Sequence, residues 1–454
     1  MSLSSFLSIA RSALIAQQRA MDVTGHNVAN AQTAGYSRQQ VTLSAATPLW
    51  SAWGTIGRGV EVADVSRVRD TFLDGSYRRE SGSLGLATTL ESLLSQVEGA
   101  LAEPSDTGVA ANLDDLFEGF ADLANDPANS SARDTVRQAA ARLTQQLHRL
   151  DARIEQARSD AVEQLRSGAD EVNTLAGRIA DLNAQILAAS GGGRSAPDLE
   201  DQRDLLVDQL SGKIGVRVVT HDDGTIGVLS GDTLLVDGGA AQQLVVTASG
   251  GGYGLGLAGG GTVDPQSGSL KALVDLNSTT LPGMSAELDR FTAALVAEVN
   301  AVHRTGTTLG GATGTDFFDA AGLTAGSISL AAGILASTDA IAASASGEAG
   351  DGAVALRLSG LGGLGVGSLG GRTLREFYTQ FASSVGTSVA NATADAEAAQ
   401  TLVDNSDAQR SAVSGVSLDE EMVTLVAQQQ AYGAAARLIT IADEMMDQLF
   451  QMLN

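Results

Sequence analysis

Apolar residues recur at alternating intervals of four and three positions at both ends of this chain, and that spacing admits little but long helices. At the N-terminal end Leu3, Leu7, Ala10, Leu14, Gln17, Met21, Thr24 and Val28 keep the rhythm, and six of the eight are apolar. At the C-terminal end it runs through Leu418, Met422, Leu425, Gln429, Tyr432, Ala436, Ile439, Asp443, Met446, Phe450 and Leu453, of which nine are apolar or aromatic. A period of 3.5 residues sets each group on one stripe of a helix, the pattern of a coiled-coil seam.

The C-terminal helix has a readable start. Ser417 can cap it, Glu420 three residues on can complete a capping box, and Asp419, Glu420 and Glu421 suit the positive end of the helix dipole. The pattern then continues to the last residues without a stop signal. The ends differ in charge. Residues 1–60 carry Arg11, Arg19, Arg38 and Arg58 against Asp22 alone, a net +3; residues 395–454 carry ten acids against Arg410 and Arg437, a net −8. Two apolar seams of opposite charge are plausible partners, with electrostatics setting register more than adding stability. Lone helix pairs are marginal, so the ends are expected to stay largely disordered in a free monomer and to fold as copies assemble.

Between the ends, residues 86–101 and 109–125 read as short helices. A single apolar stripe then runs from about Ser130 to Ala189 through Val136, Leu143, Leu147, Leu150, Ile154, Leu165, Val172, Leu175, Ile179 and Ile186. Such a helix would be roughly 90 Å long at 1.5 Å per residue, and Gly191, Gly192 and Gly193 would end it. A helix at about 197–212 follows. Short strands are then expected at Val216–Val219, Thr225–Leu229, Thr233–Val236, Leu244–Thr247 and Tyr253–Leu257. A helix spans Met284–Val302, strands return near Ile328–Leu330 and Val354–Leu358, and helix resumes at about Thr373. The chain goes out through helices, makes a β-rich excursion and returns, so both termini meet at one pole.

Composition removes several function classes. A net charge of −25 with only two lysines, Lys213 and Lys271, argues against nucleic acid. The absence of cysteine rules out disulfides, thiolate zinc sites and thiol catalysis, and suits a chain exported unfolded. The first residues do not read as a Sec signal, because Arg11, Gln17, Gln18 and Arg19 interrupt them, and no stretch is long enough to span a bilayer. Two GxGxxG matches, at Gly254/Gly256/Gly259 and Gly365/Gly367/Gly370, lack the βαβ unit of a dinucleotide site. His26, His148, His221 and His303 are scattered and read as surface or capping residues. Asp222 and Asp223 before Gly224 read as a turn, without the acid spacing of a calcium loop. No catalytic, cofactor-binding or metal-binding residues are assigned.

Asn27-Val28-Ala29-Asn30, Thr33-Ala34-Gly35-Tyr36-Ser37-Arg38, Gly57-Arg58-Gly59-Val60-Glu61-Val62 and Arg67-Val68-Arg69-Asp70 resemble the signature of flagellar axial proteins of rod, hook and junction. Asp198-Leu199-Glu200-Asp201-Gln202-Arg203-Asp204, Asn300-Ala301-Val302-His303, Gly314-Thr315-Asp316-Phe317-Phe318, Ser414-Gly415-Val416-Ser417-Leu418-Asp419-Glu420-Glu421, Gln428-Gln429-Gln430-Ala431-Tyr432 and Ala442-Asp443-Glu444 are similar to the hook-associated protein 1 family of that group. The resemblance covers both ends and most of the middle. It implies export through the flagellar type III apparatus with an unfolded N-terminal signal, and a dedicated chaperone on the C-terminal helix. It also implies a ring of copies on the hook tip, between the hook protein and a second junction protein next to the filament. Many members insert a larger variable domain after the Phe-Phe pair. Here some thirty residues separate Phe318 from Gly350-Asp351-Gly352, so an outer domain must be small.

The expected architecture is mainly α with a β-rich middle. A terminal helical coiled-coil domain would take residues 1–65 and 395–454. A helical rod domain would take 66–213, 268–310 and 371–394, leaving a β-rich region at 214–267 and 311–370. The expected function is structural, a hook–filament junction subunit in the extracellular flagellum, secreted without a cleaved signal peptide. Its assembly residues would be Leu3, Leu7, Leu14, Met21, Asn27, Val28, Asn30, Leu418, Met422, Leu425, Tyr432, Ile439, Met446, Phe450 and Leu453. Alternatives are another axial subunit (hook or second junction protein) and, in another class, a secreted adhesin or enzyme carried by the β-rich middle.

Overall fold

A computed structural model describes residues 3–51, 54–101, 103, 105–189 and 195–453. The expected glycine stop at Gly191–Gly193 lies outside the described residues. The chain begins with α1 (Leu3–Asn30), then β1 (Gln39–Ala45), β2 (Leu49–Ser51), β3 (Gly54–Ile56) and β4 (Val60–Arg67). β1 pairs with β4 and β2 with β3, both antiparallel, so an outer hairpin extends from an inner one. But for the last two residues of β4, these strands lie in the 1–65 segment assigned to the terminal helical coiled-coil domain, beyond the end of its seam at Val28. Their alternation is short and carries Gln, Ser, Glu and Asp, which hides a strand that is solvated on one face.

α2 (Thr71–Leu101) starts at Asp70, which caps the Phe72 and Leu73 amides. It is twice the expected length. Its first half, with Gly75, Gly82 and Gly85, has poor helix propensity, but small residues allow close approach. A Cβ on Gly85 would collide with the Gly212 carbonyl, and the Gly268 amide bonds the Gly82 carbonyl at 2.8 Å. Tertiary packing therefore overrides propensity. α3 (Val109–Asn125) and the 60-residue α4 (Ser130–Ala189) match expectation. The α4 stripe is buried along its length, with Leu175 half-buried, and α3, α5 (Pro197–Lys213) and the small sheets lie against it.

β5 (Arg217–Thr220), β6 (Ile226–Ser230), β7 (Thr233–Asp237) and β8 (Ala240–Ala241) form a four-stranded antiparallel meander. β9 (Leu244–Ser249), β10 (Gly252–Leu257) and β11 (Thr262–Val263) form a three-stranded one. Two asparagines of α4 pin these sheets through backbone groups. Asn183 bonds both N–H and C=O of Ile226's neighbourhood by receiving the Ile226 amide (3.1 Å) and donating to the Ile226 and Gly238 carbonyls. Asn173 does the same at Leu244. α6 (Ser269–Asp275) runs through one π-helical turn into α7 (Leu281–His303).

The return differs from expectation. Residues 328–330 make only an isolated bridge, Phe318 to Leu330. After α8 (Ala332–Ala336), residues 353–360 are not a strand but α9 (Ala353–Gly360). Val354, Ala355 and Leu358 are buried at helical spacing, and Asp351 caps the Ala353 amide at 2.9 Å. A run of alternating apolar residues this short fits either period. The 304–370 region is thus made of turns and short helices, with no named strand among the described residues. His303 is buried rather than at the surface. Its Nδ1–H donates to the Thr315 carbonyl at 2.7 Å and its Nε2 accepts the Ala342 amide at 2.9 Å, which fixes the neutral tautomer. Burial lowers its pKa. Asn300 receives the Phe317 and Phe318 amides, so the Asn-Ala-Val-His and Asp-Phe-Phe motifs form one cluster with Phe120.

α10 (Leu374–Ser414) opens with a full capping box of Thr373 and Glu376 and packs along α2. α11 (Leu418–Leu453) closes the chain and packs on α1. Asn27 near the end of α1 bonds Glu421 near the start of α11 at 3.1 Å, so the two run antiparallel and bring the chain ends together.

Candidate assembly site at the chain ends

The terminal pair meets through small residues. Ala10, Ala16, Ala20 and Val23 of α1 are buried, with Thr24 and Asn27, as are Ala435 and Ala442 of α11. The larger expected seam residues flank this line. Leu7, Leu14, Met21 and Val28 are half-buried, as are Leu425 and Ile439. Leu418, Met422, Tyr432 and Met446 are exposed, and the side chains of Leu3, Phe450 and Leu453 lie outside the described ones. The inward line of α11 runs Glu421, Leu425, Gln428, Ala435, Ile439 and Ala442, which shares Leu425 and Ile439 with the expected seam. Leu418, Met422, Tyr432 and Met446 of that seam face solvent together with Val423 (72% exposed), Val426 (49%) and Ile441 (46%), while Ala436 is half-buried. α11 therefore has two apolar faces, one on α1 and one uncovered.

Where the pair joins the body, the motifs of both ends converge. Asn27 is the centre of the first layer. It receives the Gln39 amide (2.9 Å) and the Tyr36 hydroxyl (2.8 Å), and donates to the Gln39 carbonyl and Glu421. Asn30 is half-buried and donates to the His26 carbonyl, closing α1, while receiving the Thr33 hydroxyl. The Arg38 amide reaches the Ser414 carbonyl at 2.8 Å, and its guanidinium pairs with Glu420. The Ser417 hydroxyl accepts from the Glu420 amide, so Ser417 caps α11 while Glu420 spends its carboxylate on Arg38.

The second layer is ionic and buried. On α5, Asp201, Asp204 and Asp208 recur at intervals of three and four and share one face. On β4 and just after it, Arg67 and Arg69 point the same way. Arg67 contacts Glu200 (2.8 Å), Asp201 (2.8 Å) and Asp204 (2.7 Å). Arg69 forks onto Asp74 and also reaches Asp204 at 3.2 Å. Arg78 links Asp204 and Asp208, and Arg410 of α10 pairs with Asp208 while its guanidinium stacks over Tyr77 at 3.9 Å. Ser37 donates both its amide (2.8 Å) and hydroxyl (2.6 Å) to Asp201. Burial raises the Asp204 pKa, but Arg69, Arg67 and Arg78 outweigh it and bring the carboxyl down to about 2. The same carboxylates raise the pKa of Arg69 against its own burial. Sequence reading marked Arg67, Arg69 and Asp201–Asp204 as signature residues but missed Asp74, Arg78, Asp208 and Arg410. The 201–204–208 spacing of acids in a helix of low apolar content was the available signal.

Among the described residues no group of His, Asp or Glu could hold a metal ion, and no helix is long and apolar enough to cross a membrane. The site is a joint and a set of packing faces. A helix pair built from both chain ends is tied to a long helical body.

Comparison with known proteins agrees with the resemblance read from the sequence. The family described as "Flagellar hook-associated protein FlgK helical domain" matches residues 94–318. "Flagella basal body rod protein" matches residues 7–36, and "Flagellar basal body rod FlgEFG protein C-terminal" matches 401–452. The chain is 31% identical to flagellar hook-associated protein 1 of Bacillus subtilis over 98% of its own length and 97% of that protein's. It is 31% identical to the Salmonella typhimurium protein of the same name over 70% of this chain and 59% of that one. In fold it resembles the flagellar hook junction protein FlgK from Burkholderia pseudomallei, with a TM-score of 0.66 at 19% identity over 74% of this chain. The chain belongs to the flagellar hook-associated protein 1 family. It is a structural component of the flagellum, not an enzyme.

Proposed function

We propose that the chain assembles with copies of itself through α1 and α11 into a ring that joins hook to filament. The observation that carries this is the second apolar face of α11. Met422, Val423, Val426 and Ile441 are uncovered on a helix whose other face is already packed on α1, and exposed apolar patches of this kind mark interaction sites. Helices that are half-covered in one copy gain a core from its neighbours. The ring would meet the hook protein on one side and a second junction protein on the other. Before assembly, the same apolar face gives a physical reason for a chaperone on the C-terminal helix. Export would follow the flagellar type III route without a cleaved signal peptide.

In this reading the terminal pair, together with the β1–β4 hairpins, is the polymerisation module. The α2–α7 and α10 body is the rod, and the small sheets with residues 304–370 lie outside it. The buried ionic layer transmits load between module and body, and there is no reaction cycle.

The test is replacement in the host. Loss of the gene product should leave hooks without filaments and flagellin shed to the medium. Val426→Asp should give the same phenotype while the purified subunit keeps the wild-type circular dichroism and unfolding curve. Normal filaments with Val426→Asp would refute assembly through this face. Leu425→Asp and Ile439→Asp are weaker probes, because both residues also line the contact with α1.

A further inference from the structure

The β2–β3 hairpin carries Trp50, which is 87% exposed and faces Thr55 across the strands. It is the most exposed large apolar side chain among those described. The hairpin sits at the outer end of the β1–β4 ladder. There the Val60 amide donates to Ser12 and Gly59 lies against Ile9, so the hairpin projects toward the chain-end pole.

Further along α1, toward the body, lies an open cleft of about 780 Å³ between α1, β4 and the start of α5. This lies within the range of roughly 300–1,000 Å³ that encloses sizeable apolar groups. Its lining includes the apolar Ile15, Val23, Val62 and Val65. Its rim is acidic, with Asp22, Asp64 and Asp198 against Arg19 alone. The hairpin segment 46–60 has no acid, and its one charged residue is the exposed Arg58. The same module therefore carries, at separate places along α1, a projecting indole on a hairpin whose one charge is Arg58 and a cleft that combines apolar side chains with acidic ones. The two are displaced along α1, so one copy's hairpin can serve the next copy's cleft. Such a contact is heterologous, the kind that repeats into a ring or a helix. Tryptophan and arginine are also the residues that most often dominate interface energetics.

We propose that Trp50 of one subunit docks in the Ile15–Val62 cleft of the adjacent copy, with Arg58 on its acidic rim. This rests on the self-assembly reading above and names the contact between neighbours that the α11 face leaves unspecified.

The chain has no cysteine, so introduced thiols report without background. Flagella are isolated from cells making the double variant Thr55→Cys, Gln18→Cys in place of the native subunit, which keeps the indole and sets a thiol on the strand residue opposite it, then oxidised and run without reductant. Gln18 is exposed and lines the cleft. The expected result is a ladder of dimers and higher multimers, with either single variant staying monomeric. A double variant that carries filaments yet stays monomeric overturns the docking and leaves self-assembly standing. A cross-link to a protein of different mass shows that the hairpin serves another axial subunit and also overturns it. Should the double variant fail to reach the hook, Trp50→Phe and Trp50→Ala decide. Docking predicts near-normal filament number for the first and at least a tenfold loss for the second, and equal behaviour of the two overturns it. Failure of the self-assembly reading itself would show separately, as normal filaments with Val426→Asp.

Discussion

Asp204 shows how one residue can set the character of a joint. Three arginines surround it, and a carboxylate removed from water is stable only while those partners stay in place. Its folded pKa is about 2, against roughly 3.9 for an unfolded aspartate. The unfolded chain therefore takes up a proton first as pH falls. The stabilisation is fully present above about pH 4 and is lost as the pH drops through about 2. A gap of that size is worth roughly 2.6 kcal/mol. Asp204→Asn is expected to flatten the pH dependence of the unfolding midpoint between pH 4 and pH 2. Asp204→Ala, which strands buried guanidinium groups, should cost about 3–5 kcal/mol at neutral pH. Urea titration followed by tryptophan-independent circular dichroism measures both. An unchanged midpoint in the alanine variant would show that the arginines re-pair without it. The sequence made Asp204 visible as a motif member but not as a hub, because its partners come from β4, the start of α2 and, through Asp208, the end of α10. Long-range convergence leaves no local periodicity to read.

Among the elements, those with long unbroken apolar periodicity were legible and those with small or polar residues were not. α3, α4 and α5 fall where the stripes place them, since each buries one face against a common core. The first half of α2 was missed because Gly75, Gly82 and Gly85 weaken the local signal, although they are what lets α5 and α6 approach. That account has a consequence at Gly85. A methyl there meets the Gly212 carbonyl, which is backbone and cannot swing aside. Gly85→Ala should therefore destabilise, by about 1–3 kcal/mol of overpacking, despite alanine's better helix propensity of roughly 1 kcal/mol. Gly99, on the same helix with open space around its Cβ position, is the control, and Gly99→Ala should stabilise slightly. Two variants that move the denaturation midpoint in the same direction would contradict the packing explanation. The exchange of a strand for α9 has a similar cause. Val354, Ala355 and Leu358 are too few to distinguish periods, and the deciding Asp351 cap is a contact rather than a pattern.

Taken as a whole, the molecule joins a well-packed body to a thinly packed pole. The body buries Leu, Ile, Val and Phe from α3, α4, α5, α7, α9 and α10 in one continuous core. The α1–α11 pair buries mainly alanines between its helices, each contributing far less than the roughly 1.5–3 kcal/mol of a fully buried large aliphatic residue. Ordering each residue costs about 1–2 kcal/mol of backbone entropy. In a free subunit the outer part of this pair should therefore open readily, whereas the segment held by Asn27, Ser37, Arg67 and Arg69 should not. Both chain ends meet at that pole, as the opposed seams at the two ends require, but the anchored stretch between them was invisible without the contacts. Limited proteolysis of purified monomer is expected to cut α1 on the N-terminal side of Asn27 and α11 on the C-terminal side of Glu421. Residues 37–67, inside what the seams alone mark as terminal module, should survive with the body, except at the exposed hairpin around Trp50. Mass spectrometry of the stable fragment gives the boundaries. Ends as resistant as the body would show that the pair is stable unaided, and assembly would then be a docking of preformed helices. Protection of α1 and α11 appearing only in isolated flagella would show that neighbouring copies complete their core.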